Sequence, residues 1–198
     1  MPNHAHLGDT SRGRPSALGV LILGLWMAHV GPAMAQAVEQ TQVEAAYLYN
    51  FAKFVEWPPE TFRDPEGRVL ICVVGDEHVS SVLEKSLAGK KVKQRPVEAR
   101  NPQASADFKP CHIVFIAYSD RERIAETLKE LRGLDALTVG RSSLFLPLGG
   151  MINLAFKHDT IELEIDLEAS NAVGLKISSR LLVVARLVKA RPAGGGEP

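Results

Sequence analysis

The sequence predicts an α/β fold: a single domain with a mainly parallel sheet flanked by helices, and an antiparallel hairpin near the C-terminus. Two observations predict it. Residues 69–74 and 112–117 are continuous apolar runs rich in β-branched side chains, typical of strands buried on both faces, and a helical pattern follows each. Residues 151–157 and 161–165 alternate apolar and polar side chains around a short polar connection, which indicates a hairpin with one buried face.

The chain ahead of this fold has the pattern of a secretory signal peptide. Arg12 and Arg14 precede an apolar run over 17–30, and Ala33-Met34-Ala35 supplies small residues for cleavage. A membrane anchor is the alternative, but the run is shorter than the roughly 20 apolar residues that a span needs. We therefore expect a signal peptide over 1–35, cleaved after about Ala35, an exported α/β domain over 36–190, and a disordered tail over 191–198.

Charge excludes some classes of partner. The chain has 23 basic and 23 acidic side chains, and removing residues 1–35 takes away only two arginines and one aspartate. A near-neutral chain offers no general electrostatic attraction for nucleic acid or for an anionic membrane surface. Partners are therefore expected to be recognised by shape and apolar contact.

The first mature helix carries the most unusual segment of the chain. Thr41 followed by Glu44 matches a capping box and predicts a helix start at Thr41, and Pro58 predicts its end. Apolar side chains occur on more than one face of this helix, so a single sheet would not cover it. We expect a dimer or partner interface that includes the aromatic residues Tyr47, Tyr49, Phe51, Phe54 and Trp57.

The remaining elements follow in order from periodicity and turn residues. Helices are predicted over 78–87, 121–131 and 167–173, the last of them ending at Gly174, and Ser178-Ser179 is expected to cap a final helix that reaches about Val188. Besides the strands already given, short strands are predicted over 94–99 and 136–139.

Gly75-Asp76 is a possible ligand crevice. It follows a predicted parallel strand and precedes a helix, and ligands of open α/β sheets bind at such carboxyl ends. Gly75 permits close approach, and a helix amino terminus favours anions. One Gly-Asp pair is a weak motif, so a small-molecule (solute or nucleotide) binding module is retained as the alternative function.

The two cysteines, Cys72 and Cys111, are expected to form a disulfide because an exported chain enters an oxidising compartment. Two buried free thiols are the alternative. A bridge closing 39 sequence steps would stabilise the fold by about 4 kcal/mol in the chain-entropy model.

Catalytic and metal-binding patterns are not found in the sequence. His78, His112 and His158 do not have the spacing of a metal-ligand motif, and neither a G-x-S-x-G elbow nor a phosphate-binding loop occurs. Glu162, Glu164 and Asp166 alternate along one strand and are interpreted as its solvated side rather than as a carboxylate cluster. We expect no enzyme activity, no metal and no cofactor.

The motif from Ala46 to Pro58 (AYLYNFAKFVEWP) resembles the opening motif of the YfiR family of periplasmic proteins. The resemblance continues from about Val43 to Ala185. Its later blocks are 71–76, 111–116, 137–140, 149–152, 165–167 and 174–182.

This resemblance implies regulation by binding. It implies a repressor of the periplasmic sensor domain of an inner-membrane diguanylate cyclase, which lowers cyclic di-GMP and restrains biofilm formation. It also implies a homodimer and an outer-membrane lipoprotein that sequesters the repressor. The pair Cys72 and Cys111 resembles one cysteine pair of the family, whereas a second pair has no counterpart over 140–160.

A late apolar set is our candidate for the surface that contacts the sensor domain; core packing of a terminal helix is the alternative. Its members are Leu175, Ile177, Leu181 and Leu182.

Overall fold

The computed structural model describes residues 32–62, 67–157 and 160–189, with side chains from residue 40 onward. The chain divides into two units, Met1–Ala37 and Val38–Pro198, and the fold below is that of the second. Most of the predicted signal peptide, the hairpin tip with His158 and the predicted tail lie outside the described residues. No helix in the described ranges combines the length and the apolar character that crossing a bilayer requires.

The elements alternate between helices and strands over most of the second unit. Within the described ranges the helices are α1 (Pro32–Phe54), α2 (Glu77–Leu87), α3 (Arg121–Glu130), α4 (Leu167–Ala172) and α5 (Ser179–Leu182). The strands are β1 (Val55–Glu56), β2 (Val69–Val74), β3 (Lys91–Val92), β4 (Arg95–Arg100), β5 (Ile113–Ile116), β6 (Leu137–Gly140), β7 (Ile152–Lys157), β8 (Thr160–Ile165), β9 (Lys176–Ile177) and β10 (Ala185–Leu187).

Eight of these strands form one sheet in the order β10-β8-β7-β6-β5-β2-β4-β3. Strands β2, β4, β5, β6 and β7 are parallel, whereas β8 runs antiparallel to β7 and β3 antiparallel to β4. The chain leaves β2 toward β4 on one side and later continues with β5 on the other. The order therefore reverses between β2 and β5, which is the topological switch point of a doubly wound sheet.

Helices cover both faces of this sheet. On one face, Leu48 and Phe51 of α1 and Leu83 of α2 pack with Ile71 of β2. On the other face, Ile124 of α3 belongs to a second apolar cluster. Because side chains alternate along β2, neighbouring residues of that strand enter different clusters. The predicted α/β class, its mainly parallel sheet and its antiparallel hairpin are confirmed.

The C-terminal segment returns to cover α1. Val55 of β1 pairs with Ile177 of β9 in a separate two-stranded sheet, and the Ser178 N–H donates to the Phe54 carbonyl over 2.8 Å. Leu175 and Leu181 enter the core next to α1. The apolar faces of α1 are therefore covered largely by the chain itself, with Ala45, Leu48, Phe51 and Ala52 all buried.

Three predictions about elements are wrong. Helix α1 begins at Pro32 rather than at Thr41, and it ends at Phe54, ahead of Pro58, because β1 pairs with β9. The final helix stops at Leu182, and residues 185–187 form β10 beside β8 instead. The β-branched pair Val183-Val184 disfavours helix and explains this change.

Candidate functional site

The aromatic segment of α1 and β1 ends in a cluster of rings at the end of the sheet where the parallel strands begin. We call this end the amino edge of the sheet. Trp57 donates its indole N–H to the His112 carbonyl over 3.1 Å, and Phe62 stacks on the His112 ring with centroids 4.7 Å apart. The Arg95 guanidinium lies 4.4 Å from the centre of the Phe62 ring. These contacts fix Trp57 within the chain, with only part of its ring accessible.

Tyr49 lies on a basic part of the surface. Its hydroxyl donates to the Lys91 carbonyl over 3.3 Å, and the Lys53 and Lys90 ammonium groups lie 4.0 and 4.7 Å from its ring centre. These are cation–π distances. The ring therefore holds α1 against the start of β3.

Three residues of the predicted interface lie in the core and are unavailable to a partner. Phe51 is 0% exposed, Leu175 is 1% exposed and Leu181 is 5% exposed. The other predicted interface residues are half-buried and pack against that core: Tyr47, Tyr49, Phe54, Trp57, Ile177 and Leu182. Because β9 and its neighbours cover α1, its apolar character no longer requires a second subunit.

Gly75 does not open the predicted crevice, because a side chain of the same protein fills the space. A Cβ placed on Gly75 would lie 2.4 Å from the Tyr118 ring, and the backbone φ of Gly75 is +87°. Glycine is therefore needed both for the turn and for the ring. Asp76 caps α2 by accepting the Val79 N–H over 3.1 Å. The anion-favouring helix end is thus occupied by the chain's own carboxylate.

Asp76 also belongs to an ion cluster that the sequence analysis missed. Arg141, directly after β6, donates to Asp76 over 2.8 Å and to both carboxylate oxygens of Glu44 over 3.1 Å. Glu44 is 0% exposed and receives a further hydrogen bond from Gln40 over 3.2 Å. The cluster joins α1, the start of α2 and the end of β6.

Burial and charge act in opposite directions on these groups. Burial raises the pKa of Glu44, although the Arg141 charge acts against it. For Asp76 burial also raises the pKa, but hydrogen bonds from Val79 and Arg141 outweigh it and hold the pKa below its usual value. Burial lowers the pKa of Arg141, yet the Glu44 charge and the Asp76 hydrogen bond raise it overall. The cluster thus holds α1, the start of α2 and the end of β6 together. Its cation, Arg141, is bonded to both carboxylates.

The amino edge of the sheet carries the disulfide and a cavity. Cys72 and Cys111 are joined, with Cα atoms 5.9 Å apart, as predicted. Cys111 also lines a cavity of about 600 Å³, together with residues that include Phe62, Lys109 and His112.

His112 is buried at this edge. Its Nδ1 accepts the Leu70 N–H over 3.2 Å, and its Nε2 has no hydrogen-bond partner among the described residues. Burial, followed by the charge of Arg95, lowers the pKa of His112 to about 4. The imidazole is therefore neutral at ordinary pH and carries its proton on Nε2.

The carboxylates of the hairpin do not form a reactive cluster. Glu162 and Glu164 both pair with Arg186 of β10, as expected for a solvated strand side. Asp166 is different, because it is 4% exposed and caps α4 through the Ala169 N–H over 3.0 Å. Among the described residues, no group of three or more His, Cys, Asp or Glu side chains is arranged to hold a metal ion.

Comparisons with known proteins agree with this architecture. A family model described as YfiR/HmsC-like matches residues 41–186. Among solved structures, a crystal structure titled as a conserved domain protein from Vibrio cholerae O1 biovar El Tor aligns with a TM-score of 0.50 and 12% identity. The alignment covers 73% of this chain and 60% of that one, so this chain spans less than two thirds of the length of that protein. At that identity the likeness concerns the fold alone. A search of curated proteins finds no match.

Proposed function

The chain belongs to the YfiR/HmsC-like family, and from this membership we propose that it is a periplasmic regulator that binds the sensor domain of an inner-membrane diguanylate cyclase. Binding represses the cyclase, which lowers cyclic di-GMP and restrains biofilm formation. The family match over 41–186 carries this proposal. The disulfide agrees with an exported protein.

The chemistry of the site supports action by binding without catalysis. Its buried charges satisfy one another in the Glu44–Arg141–Asp76 cluster. The candidate contact surface is drawn from the half-buried side chains that pack against the core around α1 and the C-terminal segment: Tyr47, Phe54, Trp57, Ile177 and Leu182. We further propose that an outer-membrane lipoprotein competes for the repressor. We also propose a homodimer, which is supported only by membership of the family.

A reconstituted binding measurement tests this function. The mature chain from residue 36 is titrated into the purified periplasmic domain of the cyclase by calorimetry, and deletion of the gene is expected to raise cyclic di-GMP in cells. A Trp57→Ala variant should bind more weakly, whereas Glu77→Ala, on an exposed position of α2, should bind as wild type. Absence of binding by the wild-type chain contradicts the proposal.

A second candidate function is binding of a small molecule, favoured by one observation. Among the described residues, the buried His112 Nε2–H has no acceptor in good hydrogen-bonding geometry, and His112 lines the cavity at the amino edge of the sheet. A ligand oxygen at that position would satisfy the donor, which otherwise costs about 1–3 kcal/mol. The ligand would bind here and not at Gly75-Asp76. At 100 times its Kd it would stabilise the protein by about 2.7 kcal/mol, which a thermal-shift screen detects.

A further inference from the structure

Positive charge is concentrated in one stretch of this otherwise neutral chain. Residues 85–97 contain five basic side chains and no acidic one. The stretch runs from the end of α2 through β3 into β4. The balance of charge over the whole sequence conceals this asymmetry, because acidic residues elsewhere offset it.

Tyr49 of α1 brings cations from two parts of the chain together. The Lys53 and Lys90 ammonium groups lie 4.0 and 4.7 Å from the centre of its ring. The two ammonium groups are therefore closer to each other than the Debye length of about 10 Å at 0.1 M salt, so they repel each other. Lys91 is adjacent, because its carbonyl accepts the Tyr49 hydroxyl over 3.3 Å. The ring attracts these cations but supplies no negative charge to balance them.

The turn between β3 and β4 adds a fourth lysine in an unfavourable backbone conformation. Val92 pairs with Arg95, which leaves Lys93 and Gln94 as a two-residue turn with φ of +48° and +69°. Glycine and asparagine are the usual residues at such positions. The Lys93 side chain is exposed, whereas that of Val92 is buried. Residues held in sparsely populated conformations occur most often where the side chain has a function.

These lysines have no counter-ion in the part of the chain that the structure describes. We call them the lysine patch: Lys53, Lys90, Lys91 and Lys93. All four are exposed, and no described carboxylate lies within salt-bridge distance of their ammonium groups. Glu98, on β4, pairs with Arg68 instead. Glu56 and Glu84 share surface hollows with members of the patch, so positive charge remains in excess.

The chemistry of the patch favours a surface of dispersed phosphates over a folded protein. Lysine is depleted in protein–protein interfaces, where arginine and aromatic residues are enriched. Its ammonium group is a hydrated point charge on a flexible stem, so it needs no fixed partner geometry. A symmetric second copy would place the same cations against each other. Anionic phospholipid headgroups satisfy these conditions.

We propose that the lysine patch binds the surface of an anionic phospholipid bilayer. Near such a surface each lysine strengthens binding about fivefold, so four of them give a reversible, salt-sensitive attachment. This inference goes beyond the proposed function. Attachment would concentrate the protein at the membrane that holds the proposed partner, but it is measured with the bilayer alone and does not require the cyclase.

Co-sedimentation with vesicles tests the inference. The mature chain from residue 36 is mixed with vesicles of equal parts phosphatidylglycerol and phosphatidylcholine, or of phosphatidylcholine alone. It should sediment with the anionic vesicles at low salt and not with the neutral ones. Raising the salt to about 1 M, where the Debye length is about 3 Å, should release it.

Two pairs of substitutions within the patch measure its contribution. Lys90→Gln/Lys91→Gln removes two charges but keeps the Lys91 carbonyl that accepts the Tyr49 hydroxyl. Its partition coefficient on anionic vesicles should fall about 25-fold. Lys53→Gln/Lys93→Gln should show a similar fall, and it serves if the first variant fails to fold.

Lys129→Gln/Arg132→Gln is the matched control. It removes the same charge from exposed positions at the end of α3, on the other face of the sheet, and should bind within about twofold of wild type.

Three results would overturn the inference. They are failure of the wild-type chain to sediment with anionic vesicles, equal binding by wild type and the folded patch variants, and an equal loss of binding in the control. Binding of soluble polyglutamate without binding of vesicles would assign the patch to an acidic protein segment and overturn it as well. None of these results decides the proposed function, which the calorimetric titration with the cyclase domain tests separately.

Discussion

Arg141 is the residue on which the buried polar network depends. Replacing it with Met would leave Glu44, wholly buried, without its cation. Breaking one side of a buried ion pair typically costs about 3–5 kcal/mol, so Arg141→Met should lower the free energy of unfolding by that order in urea titrations at pH 7. The loss should shrink at pH 5, because an isolated buried carboxyl takes up a proton.

Glu44→Gln is the matched control for that substitution. The amide keeps an acceptor for Arg141, and Asp76 still provides a negative charge beside it. Burial raises the pKa of Glu44, so keeping this carboxylate ionised costs free energy in the folded state, and an uncharged amide avoids that cost. Glu44→Gln should therefore remain within about 1 kcal/mol of wild type. Equal stability of wild type and Arg141→Met would show that the cluster contributes little.

His112 should make stability depend on pH. Its folded pKa of about 4 lies below the ordinary 6.5, so the folded state favours the neutral ring. The contribution of neutral His112 to the free energy of unfolding is fully present above pH 6.5. It is lost as the pH falls toward 4, and the loss amounts to about 3 kcal/mol. Protonation also turns Nδ1 into a donor facing the Leu70 N–H.

His112→Asn isolates this effect, because the amide oxygen can still accept the Leu70 N–H but does not titrate. Urea unfolding between pH 7 and 4 should show a shallower loss of stability for this variant than for wild type. Carboxylates such as Asp76 contribute to both proteins and cancel in the comparison. Identical dependence of stability on pH in the two proteins would show that His112 does not titrate between pH 7 and 4.

The junction between β2 and α2 is the element whose geometry is most restrictive. Gly75→Ala introduces a left-handed alanine, which costs about 1–2 kcal/mol, and a methyl group 2.4 Å from the Tyr118 ring. Overpacking of this kind adds about 1–3 kcal/mol. In the double variant with Tyr118→Ala the packing conflict disappears, but the backbone conformation remains unfavourable.

A double-mutant cycle measures this coupling. The double variant should be less destabilised than the sum of the single variants by at least about 1 kcal/mol. Strict additivity would mean that Tyr118 moves away from Gly75 without loss of stability.

At the scale of elements, the sequence predicts best where one apolar pattern decides the outcome. Strands β2 and β5 are continuous runs of buried residues, and the hairpin of β7 and β8 alternates with period two. The ion pair between Arg141 and Glu44 was not predicted, because the two residues are 97 positions apart in the sequence. A signal did exist: Glu44 lies at helical spacing from Leu48 and Phe51, and a charge on a buried stripe needs a partner.

The terminal strand β10 is a case in which the apolar pattern does not decide the secondary structure. Leu181, Leu182, Val183 and Val184 form a run that suits either a buried helix or a strand. The pair Val183-Val184 disfavours further helix, and the position of β8 as an open neighbour allows residues 185–187 to extend the sheet. Likewise, the aromatic positions of α1 indicate contact on two faces, but not that the chain's own C-terminal segment supplies the second contact.

For the whole molecule, the disulfide ties the two strands that flank the switch point. Cys72 lies within β2, and Cys111 precedes β5, its neighbour in the sheet. The bridge closes a loop of 39 residues, for which the chain-entropy model gives about 4 kcal/mol. Reduction should therefore lower the free energy of unfolding by about 2–5 kcal/mol, because the unfolded chain regains its freedom.

Urea titrations of the mature protein with and without dithiothreitol measure this difference. The Cys72→Ala/Cys111→Ala variant is the control, because dithiothreitol should leave its midpoint unchanged if the reagent acts only on the bridge. Thiol titration of the unreduced protein in denaturant should find no reactive thiol. Two titratable thiols, or a reductant effect that persists in the double variant, would contradict the bridge. The stability of the domain would then depend on non-covalent contacts, among them the two apolar clusters and the Glu44–Arg141–Asp76 ion cluster.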